Sequence, residues 1–243
     1  MREAKKQLEL LLINYLRSSY SDFPKGKIVS SESPDFIVKT KPAKKIGIEL
    51  VRLAPEKLFN HLADNEFRSE LINDVSELFE RSSDLKLFVK VCFSDQKAIH
   101  EERLLAVSAI LANRIRSVVS NKNHRSFFCR SLTANELPEG IEQVLIVHHP
   151  EMEESVWEEA NNLGISENVV ADLKRVISRK EEKLLLYRKK KLDAYWLLVL
   201  SDQLRNVKSS NVTNRIFSES FQSQFGKVLL FDLLRTSVYE ISS

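Results

Sequence analysis

Glu32-Ser33-Pro34-Asp35-Phe36-Ile37-Val38-Lys39, the link Thr40-Lys41-Pro42-Ala43-Lys44, and Lys45-Ile46-Gly47-Ile48-Glu49-Leu50-Val51-Arg52-Leu53 make the stretch that decides the fold. Both outer segments alternate β-branched or aromatic residues with smaller or polar ones, the period-2 pattern of strands. The link is short, polar and carries a proline, so the two strands form a hairpin in the simplest reading. Parity then matters. Asp35, Ile37 and Lys39 share one face of the first strand, and Gly47, Glu49 and Val51 share one face of the second. A register that sets Asp35 beside Glu49 brings two carboxylates within a few Å on otherwise apolar strands.

Two such carboxylates repel and raise one another's pKa unless a cation lies between them. Oxygen ligands on a rigid support, with room for water, suit Mg²⁺ or Mn²⁺. Taken alone, Asp35 also reads as a turn residue and Glu49 as a solvent-facing strand position, because exposed acids are common. The wider pattern has to choose between them.

Pro34-Asp35, a turn, and then Gly47-Ile48-Glu49 resembles the core motif of the PD-(D/E)XK, or restriction-endonuclease-like, nucleases. The resemblance implies an α/β fold with an α-β-β-β-α-β core. Its mixed central sheet is flanked by helices, with a helical and strand insertion at about 95–165, all within one domain spanning 1–243. It also implies a metal-dependent hydrolase of phosphodiester bonds, acting on nucleic acid and on DNA by preference. Asp35, Glu49 and the main-chain carbonyl of Leu50 would hold Mg²⁺ or Mn²⁺. One departure stands out: the family's lysine belongs two residues after the glutamate, where this chain has Val51. Either the lysine comes from elsewhere, or the fold binds nucleic acid or a protein partner without catalysis.

Glu3 to Arg17 shows helical spacing through Leu8, Leu11, Leu12, Tyr15 and Leu16. Glu9 borders that stripe, and the resembled fold often draws an acid from its first helix. Its other reading is a solvated helix glutamate. Pro24, Gly26 and the serines at 30, 31 and 33 read as a loop. Pro55 opens a helix that continues through Phe79, and 85–93 alternates as a third, central strand whose Lys90 either stands in for the missing lysine or is an exposed strand-end charge. Asp95 caps a helix over about 97–120. Short strands follow near 126–130 and 141–149, and His148 and His149 face opposite ways, so a single metal cannot easily take both. Residues 151–164 read as acidic and loosely helical around Trp157.

A basic helix is expected from Ser166 to about Lys191. Its apolar stripe runs Leu173, Val176, Ile177, Leu184 and Tyr187, and Lys180 occupies a place the spacing assigns to the buried face. An ammonium there costs several kcal/mol unless a negative group meets it. Asp35 and Glu49 are natural partners if this helix covers the hairpin, as the second helix of the resembled core does. Lys180, or Lys183 one turn on, would then supply the charge that Val51 lacks. The alternative is that Lys180 snorkels to water past Ile177 and Leu184. Arg188, Lys189, Lys190 and Lys191 would track a nucleic-acid backbone, or simply cap the helix end with solvated cations. Strands at 193–200 and 227–232 flank a helix over 212–225, with Gly226 expected as a left-handed cap.

Composition sets outer bounds. The chain has 243 residues, 43% hydrophobic and 29% charged, with a net charge of +3 and a pI near 8.7. That fits a globular protein with an anionic partner. Cys92 and Cys129 are far apart and without a CxxC spacing, which argues against a zinc site or disulfide scaffold. The charged N-terminus has no signal-peptide pattern, and no apolar run approaches ~20 residues. A cytoplasmic protein with no membrane partner is expected, and a homodimer is allowed.

Overall fold

The structure, a computed structural model, describes residues 2–41, 43–54, 65–94, 97, 99–160, 168–202 and 212–241. In chain order it opens with α1 (Arg2–Ser19), β1 (Gly26–Ser30), β2 (Phe36–Thr40) and β3 (Lys45–Arg52). Then come α2 (Asn65–Glu80), β4 (Phe88–Phe93), α3 (Leu104–Ser120), β5 (Phe128–Thr133), β6 (Ile141–His148) and β7 (Val156–Glu159). The chain closes with α4 (Val169–Glu181), α5 (Leu184–Arg188), β8 (Ala194–Ser201), α6 (Val212–Ser218), β9 (Lys227–Asp232) and β10 (Ser237–Glu240). This is an α/β protein with mixed sheets. It divides into two compact units, 1–15 with 60–162 and 16–59 with 163–243.

The second unit is built on a six-stranded sheet of order β1-β2-β3-β8-β9-β10. The β2–β3 hairpin pairs antiparallel with Phe36 opposite Ile48 and Ile37 opposite Gly47. The main chain of Thr40 and Lys44 closes its turn at 2.8 Å. β3, β8 and β9 then run parallel, with Glu49 beside Leu197 and Val51 beside Val199. Parallel strands need both faces covered, and both are apolar here. Phe36, Val38, Ile48, Leu50, Leu198 and Phe231 lie buried on one face. On the other, Leu197, Val199, Val228 and Leu230 join Leu173, Val176 and Ile177 of α4 and Leu184 and Tyr187 of α5 in one core. Glu49 shares the parity of that second face, so α4 and α5 lie over it.

The first unit has a four-stranded sheet of order β5-β6-β4-β7. Leu71, Val75 and Phe79 of α2 and Val107, Leu111 and Ile115 of α3 pack on Val89, Val91, Val144 and Ile146. Lys90 is 1% exposed, and its ammonium meets the Glu158 carboxylate at 3.1 Å and the Glu159 carbonyl at 3.4 Å. It lies directly across from Glu158 in the β4–β7 register, which explains how a lysine tolerates that depth.

Several expectations change. The strand at 85–93 is central, but in the four-stranded sheet rather than beside the hairpin. The residues intervening in the second unit are 60–162, wider than the insertion expected at about 95–165. Gly26 to Ser30, expected as loop, forms β1 and pairs with β2 from Gly26↔Thr40 to Ser30↔Phe36. The stretch around Trp157 is β7, not a loose helix: Val156 to Glu159 pair parallel with Phe88 to Val91 of β4. The basic helix breaks at Glu182 and Lys183 into α4 and α5. α6 ends at Ser218, and Gly226 donates its N–H to the Tyr195 carbonyl at 2.8 Å instead of capping a helix. The proposed starts at Pro55, Asp95 and Ser166 lie outside the described residues.

Gly47 shows why the hairpin needs no side chain two residues before Glu49. A Cβ there would lie 2.6 Å from Pro34 Cγ and 2.8 Å from Leu192 Cδ1. The proline ring cannot yield as a flexible side chain does, and it directly precedes Asp35. Gly47→Ala is therefore expected to lower the unfolding free energy by roughly 1–3 kcal/mol, the usual cost of overpacking. Urea denaturation monitored by far-UV circular dichroism checks this; a loss below about 0.5 kcal/mol, typical of an unconstrained surface site, would contradict it.

Candidate active site

Asp35 stands immediately before β2, and the β2–β3 register carries it opposite Glu49. The two are tied through the main chain. The Asp35 N–H donates to Glu49 Oε2 at 3.3 Å, and the Leu50 N–H donates to Asp35 Oδ2 at 2.7 Å. The loop is fixed from the other side by the Ser31 N–H, which donates to the Asp35 carbonyl at 2.7 Å. Each acid thus accepts from the backbone of the strand that carries the other.

Glu49 is a carboxylate on a covered sheet face, which is costly unless it is compensated. Lys180, in the last turn of α4, supplies the compensation. Its Nζ lies 2.6 Å from Glu49 Oε1 and 3.4 Å from the carbonyl oxygen of Leu50. Their side chains are 14% and 8% exposed, so this pair is poorly screened by solvent. Lys180 is held in place by its neighbours Val176 and Ile177, both buried in the core beneath α4. Of the two candidate lysines, Lys180 is the one that reaches Glu49; Lys183 is exposed at the break between α4 and α5.

Tyr187 was read from the sequence only as part of the apolar stripe. Its side chain is buried in the core shared with α4 and β8, close enough to feel the hairpin acids. Burial first, and then the neighbouring Glu49 and Asp35, hold the phenol far above its ordinary pKa of 10.0. It therefore stays protonated, while Glu49 receives two donors, the Asp35 amide and the Lys180 ammonium. A signal for the place of Tyr187 existed in the sequence, because seven residues put it on the face of Lys180. Tyr195 supports the arrangement from β8, donating its hydroxyl to the Tyr187 carbonyl at 2.9 Å and accepting from the Leu192 N–H at 3.1 Å.

Glu9 lies in the first unit, and its carboxylate meets Lys5 one turn away at 3.6 Å. Lys90, also in the first unit, is committed to Glu158. His148 directs its two ring nitrogens at the carbonyls of Lys86 and His124. Arg188, Lys189, Lys190 and Lys191 are all exposed, and Lys190 donates to the Ser31 hydroxyl on the loop leading to Asp35.

The donor chemistry around Glu49 fits a hard divalent cation: two carboxylates and the Leu50 carbonyl, all oxygen. Among the described residues no group of three or more His, Cys, Asp or Glu side chains gathers for a metal. A metal held here would take its remaining ligands from water, as Mg²⁺ commonly does. No helix among the described residues is long and apolar enough to cross a membrane. The chain matches no protein-family model, no curated protein and no solved structure at a significant level.

Lys180→Met leaves Glu49 with a buried charge and one strong donor fewer. It is expected to cost roughly 3 kcal/mol, the lower end for removing one partner of a buried pair, and Lys180→Met with Glu49→Gln together should cost less than the sum. Urea unfolding of the four proteins in a double-mutant cycle reads this; strict additivity would show that the pair is not coupled. The raised phenol has its own pH signature. The unfolded chain releases a tyrosine proton near pH 10, whereas the folded chain retains that of Tyr187, so stability falls as pH rises above that value. Tyr187→Phe should lessen this alkaline loss, as measured by thermal unfolding at pH 8 and pH 11; an unchanged difference would refute it.

Proposed function

We propose that this chain is a metal-dependent nuclease of the restriction-endonuclease-like, PD-(D/E)XK type, hydrolysing phosphodiester bonds of nucleic acid, DNA by preference. The observation that carries this reading is the Lys180 ammonium 2.6 Å from the Glu49 carboxylate, with Asp35 opposite on the paired segment. A lysine beside two strand acids is the triad that the motif Asp35, Glu49 and a missing Lys at Val51 calls for. Here it arrives from α4. The order β1, β2, β3, α4, α5, β8 within the second unit also supports the reading, since three strands, a helical segment and a further strand follow one another as in the β-β-β-α-β part of that core.

Asp35, Glu49 and the Leu50 carbonyl would hold Mg²⁺ or Mn²⁺. Such an ion would supply Lewis acidity toward a phosphate oxygen and toward water near neutral pH. The chain's own groups do the rest. Lys180 offsets the carboxylate charge and offers an N–H to a phosphate oxygen as negative charge grows on it. The Lys180 ammonium and the Asp35 amide fix the Glu49 carboxylate in one orientation. Arg188, Lys189, Lys190 and Lys191 hold the backbone of the nucleic acid without reading its sequence.

Val51 favours a second reading, a module that binds nucleic acid or a protein partner without cutting. One assay separates the two. A supercoiled plasmid and a labelled RNA are incubated with Mn²⁺ and wild type, Asp35→Ala, Glu49→Ala or Lys180→Ala. The nuclease reading expects nicking by wild type and a loss of about 10²-fold or more in each variant, as for groups acting directly on the reaction. Equal cleavage by all four overturns it. Retention of nucleic acid that weakens with salt, with no cleavage, selects the second reading.

A further inference from the structure

α5 carries two leucines that the core does not use. Leu184 and Tyr187 turn inward, but Leu185 is 69% exposed and Leu186 is 54% exposed. Around them in sequence stand Lys183, Arg188, Lys189, Lys190 and Lys191, all exposed, with no acidic residue from 183 to 192. The position of this lip in the second unit is defined at two points. Lys190 donates to Ser31, whose own N–H holds the Asp35 carbonyl. Tyr187, one residue after Leu186, turns into the core on the sheet face that Glu49 shares. A polyanion that follows the exposed cations past the leucines therefore reaches Lys190 and, through Ser31, the loop that carries Asp35.

Apolar side chains ringed by cations suit a polyanion with apolar faces. In nucleic acid the phosphates meet Lys and Arg, and an aliphatic side chain enters between base steps as a wedge. An anionic lipid surface satisfies the charge, but a helix lying in that interface needs a long apolar face, and α5 has five residues and two outward leucines. The neighbouring carboxylates also have no task at a lipid surface.

We propose that Leu185 and Leu186 form a wedge that enters the base stack of a bound nucleic acid, while the cations from Lys183 to Lys191 hold its backbone, so that the stack opens next to Asp35 and Glu49. The proposal rests on the nucleic-acid reading given under Proposed function and adds the form of the substrate. Strands already unstacked, such as mismatches or duplex junctions, bind more tightly than perfect duplex because part of the unstacking is already done.

The test uses the full chain in EDTA, so that no turnover occurs, with duplexes carrying 2-aminopurine at a matched or mismatched position and a separate end label for anisotropy. Wild type should raise 2-aminopurine fluorescence severalfold and bind the mismatched duplex about tenfold more tightly. L185A/L186A should keep its melting temperature, since both leucines are exposed. It should also keep backbone binding to within about threefold while losing most of the fluorescence rise and the mismatch preference. The fourfold variant Arg188→Ala, Lys189→Ala, Lys190→Ala and Lys191→Ala should lose binding by tenfold or more and flatten its salt dependence. Binding by wild type with no fluorescence rise, or an equal rise from L185A/L186A, overturns the wedge and leaves the nuclease reading standing. Absence of any nucleic-acid binding, with binding to phosphatidylglycerol vesicles instead, overturns both.

Discussion

Glu49 is a carboxylate placed by strand parity on the sheet face that α4 and α5 cover, and the local structure of the second unit answers to that fact. An acid can occupy such a place only if donors replace the water it has lost. Here they come from two different segments, the amide of Asp35 at the mouth of β2 and the ammonium of Lys180 at the end of α4. The hairpin and α4 are thus bound to one another through a single side chain, with the buried Tyr187 of α5 packed into the same core. Replacing this cluster by apolar residues would in general be tolerated or even stabilising. Its presence is therefore better explained by chemistry than by stability.

The break between α4 and α5 belongs to the same logic. A continuous helix through residue 188 would carry the basic run away along one axis. With α4 ending at Glu181, the chain turns so that Leu184 and Tyr187 still reach the core shared with β3 and β8. The short helix thereby buries Leu184 and Tyr187 and shows two leucines and a row of cations to solvent. Glu181 helps hold this corner, accepting from the Ser223 hydroxyl and the Gln224 amide, both at 2.7 Å.

Much of this was legible in the sequence, and the reasons differ by element. The hairpin acids could be found because period-2 alternation on both sides of a short turn leaves only one parity that pairs Asp35 with Glu49. Lys180 could be found because a cation on an apolar helical stripe is an anomaly that demands a partner. β1 and β7 could not, since Gly-Lys-Ile-Val-Ser resembles the serine-rich loop beside it and Val-Trp-Glu-Glu is too short to show a period. The two sheets were merged into one because alternation in 85–93 announces a strand but carries no information on which strands it joins. Lys90 illustrates the consequence: as a strand lysine it could stand in for the one missing at Val51, yet its counter-charge is Glu158 across the β4–β7 ladder.

The account stands on one claim, that Asp35, Glu49 and the Leu50 carbonyl form an oxygen set for a hard divalent ion beside Lys180. Mn²⁺ binding followed by electron paramagnetic resonance tests it without any substrate. One saturable class of sites in the micromolar-to-millimolar range, abolished by Asp35→Asn or Glu49→Gln but retained in Glu9→Gln, is the predicted result. Equal Mn²⁺ binding by wild type and both hairpin variants, or none at all at millimolar Mn²⁺, would contradict it.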